Sequence, residues 1–330
     1  EDGVGLSSSS QPAIMAIMLQ QLDLFAGARV LEIGAGTGYN AALMHELAGQ
    51  RGQIVTIDID DEVAGWARER LDAAGYHDVV VYCADGADGW PAGAPYDRII
   101  LTVGAADITP GWFEQLRDGG RLVLPLLLGN GELSIAFEKD GNRLVSRSVE
   151  PCGFMRIRGK LDDPVRIVPI NSEVVAATTR ADLPVDLLRL LLATPARREH
   201  WDGAPYDGFT FFAGLWGLPH LVLRSRDPND RLYGHGAFGL LDGSAPPSLA
   251  VLTHDPDIEG QFELRSWGGA MADERLRAAF ERWRDLGRPT GHDITISAHP
   301  LPNAPAPAGG QIAIDTRWWR LLVLPTNVVG

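Results

Sequence analysis

Cysteine is scarce in this chain: 330 residues carry two, Cys83 and Cys152. That count excludes a disulfide scaffold. Both sit in apolar, strand-like surroundings and read as buried free thiols of a reducing, cytoplasmic compartment. Their spacing offers no metal site, so no metal is expected. Long apolar runs are also missing. None approaches the ~18 residues that a membrane-spanning helix needs. No signal-peptide pattern is visible, although the chain starts at Glu1 without a methionine. Positive charge is in short supply, with 29 Lys and Arg against 43 Asp and Glu and a net charge of −14. That balance argues against nucleic acid as the main partner, because phosphate binding needs clustered cations. One local exception is the run Arg143, Arg147, Arg156, Arg158 and Lys160, which either lines a cleft and attracts an acidic substrate or forms a solvated face. No Ser-His-Asp or Cys-His constellation stands out, the eight histidines are scattered, and there is no internal repeat. The apolar content of 45% is ordinary for a globular chain, and the length fits two domains.

The most informative stretch present is Val30 to Tyr39, Val-Leu-Glu-Ile-Gly-Ala-Gly-Thr-Gly-Tyr. A short apolar run, Arg29 to Ile33, reads as a buried parallel strand. It ends in Gly34-Ala35-Gly36-Thr37-Gly38, and an apolar-periodic helix follows from about Tyr39. Glycines permit a sharp turn and close approach to a ligand, and the helix N-terminus offers free N–H groups. This is a nucleotide-binding turn, open to a dinucleotide or to S-adenosylmethionine. A dinucleotide fingerprint wants Gly-x-Gly-x-x-Gly, whereas the spacing here is Gly-x-Gly-x-Gly with Glu32 two residues before it. That pattern resembles motif I of the class I S-adenosylmethionine-dependent methyltransferases. Asp58 ends a second strand (Gln53 to Ile57) and would accept the ribose hydroxyls. Asp85 follows a third strand (Val79 to Cys83) and would accept from the adenine amino group. The alternative is that these acids merely cap turns.

Residues 1 to 160 alternate strand and helix patterns. Helices are expected at Pro12 to Leu22, Asp61 to Ala74 (with Asp60 or Asp61 as N-cap) and Pro110 to Leu116. Strands are expected at Tyr96 to Val103, Gly120 to Leu127, Glu132 to Lys139 and Arg143 to Glu150, the last two joined by a hairpin at Asp140-Gly141-Asn142. The expected fold is α/β, a doubly wound Rossmann-like sheet with antiparallel terminal strands. Ligands of such sheets bind at the carboxyl ends of the strands, where Gly34, Asp58, Asp85 and Val103-Gly104 all fall. Residues 161–330 show no such alternation and read as a separate α+β domain that binds a peptide substrate. Its aromatic cluster, Trp201, Tyr206, Phe209, Phe211, Phe212 and Trp216, reads as core, with the alternation at Phe209 and Phe211 suggesting a strand. Part of that domain is expected to wall the substrate cleft.

Ser10-Gln11-Pro12, the Leu31 to Tyr39 motif, Asp85-Gly86 with Gly89-Trp90-Pro91, Ala94 to Ile100 and Leu116 to Pro125 occur in the order that resembles the protein-L-isoaspartate O-methyltransferases. The resemblance covers about residues 5 to 150. It implies Ser10 as the residue facing the methyl-accepting carboxylate, with Ser8, Ser9, Gln11, Val103 and Gly104 around the substrate. It implies S-adenosylmethionine held by Glu32, Gly34, Ala35, Gly36, Thr37, Gly38, Tyr39, Asp58, Ile59, Asp85 and Gly86, and S-adenosylhomocysteine as product. Two features depart from the repair enzymes: Ser8-Ser9 stands where they have Thr-Ile, and some 170 residues follow the expected domain. Helices that precede the Ser motif in the family are absent here or lie upstream of Glu1. The Ser-rich entry, the phrase Arg147 to Met155 and the long C-terminal region resemble a branch that modifies ribosomally made peptides such as lanthipeptides and graspetides. That branch implies esterification of an Asp in a cyclised precursor peptide, with collapse to a succinimide and hydrolysis to isoaspartate.

Methyl transfer to a carboxylate fits the missing base, because an acid with pKa near ~4 is already ionised at neutral pH. Alignment of oxygen, methyl and sulfur then dominates, contributing on the order of 7–11 kcal/mol. The expected partner is the modified precursor peptide, with neither nucleic acid nor membrane. The alternatives are a repair methyltransferase acting on damaged isoaspartyl residues, a cofactor-binding module that has lost its chemistry, or methylation of RNA or a small molecule, disfavoured respectively by charge and by the Ser-x-Pro resemblance. Oligomeric state is not legible.

Overall fold

The structure is a computed structural model. It describes residues 11–162, 166–178, 182–201, 206–234, 236–255, 258 and 261–326. Ser8, Ser9 and Ser10 lie outside the described residues.

The chain opens with helix α1 (Pro12–Leu22). Proline suits its first position, where a backbone N–H would find no acceptor within the helix, and the helix buries Met15, Met18, Gln21 and Leu22. Gln21 is buried without polar cost: its side-chain nitrogen donates to the Ser134 carbonyl at 3.1 Å, and its oxygen accepts from the Ser134 hydroxyl at 2.6 Å. Strand β1 (Arg29–Ile33), helix α2 (Tyr39–Ala48), strand β2 (Gln53–Asp58), helix α3 (Asp61–Ala73) and strand β3 (Val80–Cys83) follow. Asp60 caps α3 through the amides of Glu62 and Val63, as expected. Then come β4 (Tyr96–Leu101), α4 (Pro110–Gln115), β5 (Leu116–Leu128), β6 (Gly131–Asp140) and β7 (Arg143–Pro151).

The chain next runs through β8 (Arg166–Pro169), β9 (Val174–Thr178), α5 (Val185–Leu192), β10 (Arg197–Trp201), α6 (Tyr206–Leu215), β11 (His220–Ser225), β12 (Ala237–Asp242), β13 (Ser248–His254), β14 (Phe262–Gly268) and α7 (Met271–Asp285). It ends with β15 (Ile294–Pro300), β16 (Ile312–Asp315) and β17 (Trp319–Pro325).

The first unit holds a ten-stranded sheet in the order β16-β17-β15-β7-β6-β5-β4-β1-β2-β3. Strands β3, β2, β1, β4 and β5 are parallel, and β6 and β7 add on antiparallel. The order reverses between β1 and β4, the switch point where open α/β sheets bind ligands. After Ile33 the glycine turn begins at this point. This is the expected doubly wound α/β unit with a mixed central sheet. The second unit has a seven-stranded sheet, order β10-β14-β13-β12-β11-β9-β8, all of it antiparallel.

Two expectations need correction. The region after residue 160 is not one continuous domain: the chain splits into a unit of 1–163 with 291–326 and a unit built on 164–290. Strand β15 returns to the first sheet, pairing Ser297 with Val145 and Ala298 with Leu144. Local patterning identifies such a strand but not the sheet it joins. Phe209 and Phe211 lie on helix α6, not on a strand. Three of the four residues Phe209 to Phe212 are aromatic, and such a run contacts its core from more than one side of a helix. Phe209, Phe211, Phe212 and Trp201 are buried, so the cluster is core.

The returning hairpin also holds the loop after β4. The Asp107 carboxylate accepts from the Thr316 hydroxyl at 2.7 Å and the Arg317 amide at 2.9 Å, and the Trp319 indole donates to the Ile108 carbonyl at 2.8 Å. No helix among the described residues is long and apolar enough to cross a membrane.

Candidate active site

The glycine turn needs its glycines for different reasons. Gly34 has φ +102, and a Cβ there would stand 2.5 Å from the Thr102 hydroxyl. Gly36 has φ 52, and its amide donates to Asp58 at 3.2 Å. Gly38 begins α2, which has no side-chain cap on its first-turn amides. A Cβ on Gly38 would meet Leu71 and the Ala67 carbonyl on α3. Its small size therefore serves helix packing rather than the ligand.

A cavity of about 590 Å³ opens where β1, β2 and β4 end, within the usual size of a small-molecule site. Gly34, Ala35, Gly36, Thr37 and Tyr39 line one side, Asp58, Ile59 and Gly86 another. Gln11 and Val103 also line it. Gly86 is held by the Trp112 indole, which donates to its carbonyl at 2.8 Å. Three expected site residues are not in the wall. Gly38 sits behind the turn. Asp85 caps the next turn, accepting from the Ala87 amide at 2.9 Å and the Lys160 amide at 3.0 Å. Gly104 lies one residue beyond the lining Val103 and pairs with the backbone around Arg156.

Glu32 borders the cavity yet is fully buried. The Asn40 amide donates to it at 2.7 Å and the Thr56 hydroxyl at 2.6 Å. Burial pushes its carboxyl up to about 7; the two hydrogen bonds oppose that, and the nearby Asp58 adds to it. Asp58 is more open and accepts from the amides of Gly36 and Asp60.

Sequence reasoning did not place Pro151 to Met155 or Ile157 in the far wall, although Arg147 to Met155 stood out as a phrase and Arg156 and Arg158 belonged to the run that could line a cleft. Asn40 and Thr102 were missed as well; neither residue type signals a site by itself. The basic run does not act as one patch. Arg143 pairs with Asp140 and Arg147 with Glu138 on the surface, and Lys160 pairs with Asp88. Only Arg156 and Arg158 line the cavity. Both cysteines are free, but Cys83 is exposed rather than buried, because β3 is the sheet's edge strand. Cys152 lines the cavity, and burial pushes its thiol up to about 12, so it stays protonated and unreactive at neutral pH. No histidine is among the residues described along this wall.

A family model described as protein-L-isoaspartate(D-aspartate) O-methyltransferase matches residues 3–162. The protein-L-isoaspartate O-methyltransferase of Thermotoga maritima is 33% identical over 243 residues, a match covering 71% of this chain and 72% of that protein. The enzyme of the same name from Methanocella arvoryzae is 40% identical over 151 residues, covering 46% of this chain and 80% of its own. A solved structure named protein-L-isoaspartate O-methyltransferase aligns with a TM-score of 0.50 at 26% identity, over 90% of this chain and 80% of that one.

Proposed function

This chain belongs to the protein-L-isoaspartate O-methyltransferase family, S-adenosylmethionine-dependent carboxyl methyltransferases, and we propose that it esterifies the free carboxylate of isoaspartyl residues in damaged proteins or peptides. What carries the reading is the length of the Thermotoga maritima match. At 243 residues it cannot fit inside the first 160. The long C-terminal region therefore accompanies the isoaspartyl name and does not by itself mark a peptide-tailoring branch.

The cavity suits the methyl donor. Asp58 at the end of β2 would hold the ribose hydroxyls, Ile59 and Gly86 would lie on the adenine side, and the Gly34 to Thr37 turn would let backbone approach the remainder. Bound there, the donor supplies an electrophilic methyl group on a sulfonium. The protein's own part is placement. An isoaspartyl carboxylate is ionised at neutral pH, so no base is required; burial keeps the Cys152 thiol in the described wall protonated. The family resemblance makes Ser10, next in sequence to the lining Gln11, the residue proposed to orient the carboxylate by hydrogen bonding, with Ser8 and Ser9 beside it in sequence and Val103 in the described wall. Losing such a donor costs about 10²-fold or more in rate.

The finer alternative, esterification of Asp in a cyclised precursor peptide, draws support from the Pro151 to Met155 phrase, which lines the cavity. One experiment separates them. The protein is incubated with S-adenosylmethionine and, in parallel, an isoaspartyl peptide, its normal Asp isomer and a cyclised Asp-containing precursor peptide, and intact masses are recorded. Methyl gain on the isoaspartyl peptide alone supports repair. Methyl gain on the cyclised peptide alone, followed by methanol loss, moves the assignment to peptide tailoring.

A further inference from the structure

Glu132 on β6 is a largely buried acid that the reaction as described does not use. Its side chain is 11% exposed. One oxygen, Oε1, is buried without a hydrogen-bond partner among the described residues. Glu132 fits only because residue 104 is glycine: a Cβ there would lie 2.5 Å from Oε1. Its other oxygen stands 4.0 Å from the Arg156 guanidinium. Arg156 in turn is fixed from both sides. The Gly104 amide donates to the Met155 carbonyl at 2.8 Å, and the Ile157 amide donates to the Gly104 carbonyl at 2.9 Å. Its partly exposed side chain is thereby set in the cavity wall beside Val103.

We propose that Arg156, backed by Glu132, binds the carboxylate of the isoaspartyl substrate and sets its affinity. The inference rests on the isoaspartyl reading above. A guanidinium presents five donors in a planar fork that matches a carboxylate. At 4.0 Å, Glu132 pairs with Arg156 by charge. Arg158, the other arginine in the wall, is turned to acids of the protein itself, 3.4 Å from Asp60 and 3.9 Å from Asp58.

Glu132 makes this site pH-sensitive. Burial pushes its carboxyl up to about 7, against the pull of Arg156 and of the Phe154 amide. The other titratable group facing it, the Cys152 thiol, is held at about 12 and stays neutral throughout the range. Below neutrality Glu132 is protonated and no longer offsets the positive charge of Arg156 toward a substrate anion. Above it, ionised Glu132 competes for the guanidinium and repels the carboxylate. Substrate binding therefore weakens as pH rises through about 7.

The test is calorimetric binding of a synthetic isoaspartyl peptide to the full chain at saturating S-adenosylhomocysteine, at pH 6 and pH 8. The wild type should bind several-fold more weakly at pH 8. Arg156→Gln should lose at least about tenfold in peptide affinity at pH 6, with S-adenosylhomocysteine affinity unchanged. Glu132→Gln should bind alike at both pH values; a merely structural role for Glu132 would not flatten that profile. An isoasparaginyl peptide, with carboxamide in place of the free carboxylate, should bind wild type and Arg156→Gln equally. Arg156→Gln binding the isoaspartyl peptide as the wild type does, or Glu132→Gln retaining the wild-type profile, overturns the proposal. Should Arg156→Gln fail to fold, the Glu132→Gln profile decides by itself. If the wild type neither binds nor methylates the isoaspartyl peptide, the functional reading falls and takes this inference with it. If the wild type methylates it and the variants behave as the wild type, only the inference falls.

Discussion

The two units differ in the acids they bury, although both also pair acids at the surface, as Glu138 with Arg147 in the first. In the first, three carboxyls are pushed upward by burial: Glu32, Glu132 and Asp107. Glu32 borders the cavity, Glu132 stands behind its Arg156 wall, and Asp107 anchors the loop after Val103. In the second, acids are matched by partners. Glu263 lies between Arg198 and Arg265, and Asp242 pairs with Arg275 and is held below its ordinary range, chiefly by Ser244. Strained ionisation concentrates where chemistry is done. The second unit instead invests in an aromatic and aliphatic core. The comparison assigns chemistry to the first unit and leaves the second to be tested as a separable structure.

The largest expected effect tests that separability. Phe209 is fully buried, its ring edge-on to Phe280 at 5.2 Å and tilted against Trp283 at 5.9 Å. Phe209→Ala should cost about 3–5 kcal/mol of stability in this unit. The first unit closes around 164–290 as an insertion, and lengthening a loop costs little: each doubling adds about 0.6 kcal/mol. S-adenosylhomocysteine affinity should therefore survive when the aromatic near-UV signal of the second core has melted. Parallel loss of both in a denaturant titration would show one cooperative structure and break the comparison.

The next effect reads the first unit's strained acid. A carboxyl raised from 4.5 to about 7 corresponds to on the order of 3 kcal/mol. The sign follows from linkage. The native state holds the proton that the unfolded state releases, so the contribution is fully present below 4.5 and is lost as pH rises to about 7. Glu32→Gln should thus flatten the fall in stability between pH 4.5 and 8, measured by denaturant unfolding. Part of the slope remains, because Glu132 titrates with the same sign. Asp242→Asn should do the reverse, since a lowered pKa gives stability that disappears on acidification. Parallel pH profiles for wild type and Glu32→Gln would show that Glu32 is not strained.

How much of this was legible in the sequence depends on the range of the signals. Arg29 to Ile33 and Pro12 to Leu22 could be read to the residue, because a buried parallel strand and a proline-started helix are set by neighbouring side chains. The Gly34 to Thr37 turn was legible because its backbone demands glycine. What failed was non-local. Nothing near Ile294 states that its strand pairs with Val145, some 150 residues earlier. Nothing near Glu132 states that it lies against Gly104. Helix α6 was misread because an aromatic run satisfies alternation and helical packing equally well. The Cys83 environment was misread because strand composition does not reveal which strand is the edge.

The smallest effect separates two strand-end acids that look alike in sequence. Asp58 lines the cavity, whereas Asp85 caps a turn. Asp58→Asn keeps one acceptor oxygen for a ribose hydroxyl and for the Gly36 amide, but loses the charge that strengthens both bonds. It should weaken S-adenosylhomocysteine binding about tenfold, or ~1.4 kcal/mol, with turnover of an isoaspartyl peptide at saturating donor unchanged. Asp85→Asn should instead cost about 1 kcal/mol of stability through the weakened cap and leave cofactor affinity nearly intact. If Asp85→Asn proves the more damaging to affinity, the carboxylate reaches the adenine after all. The cavity wall would then extend past Gly86 to the turn that Lys160 closes.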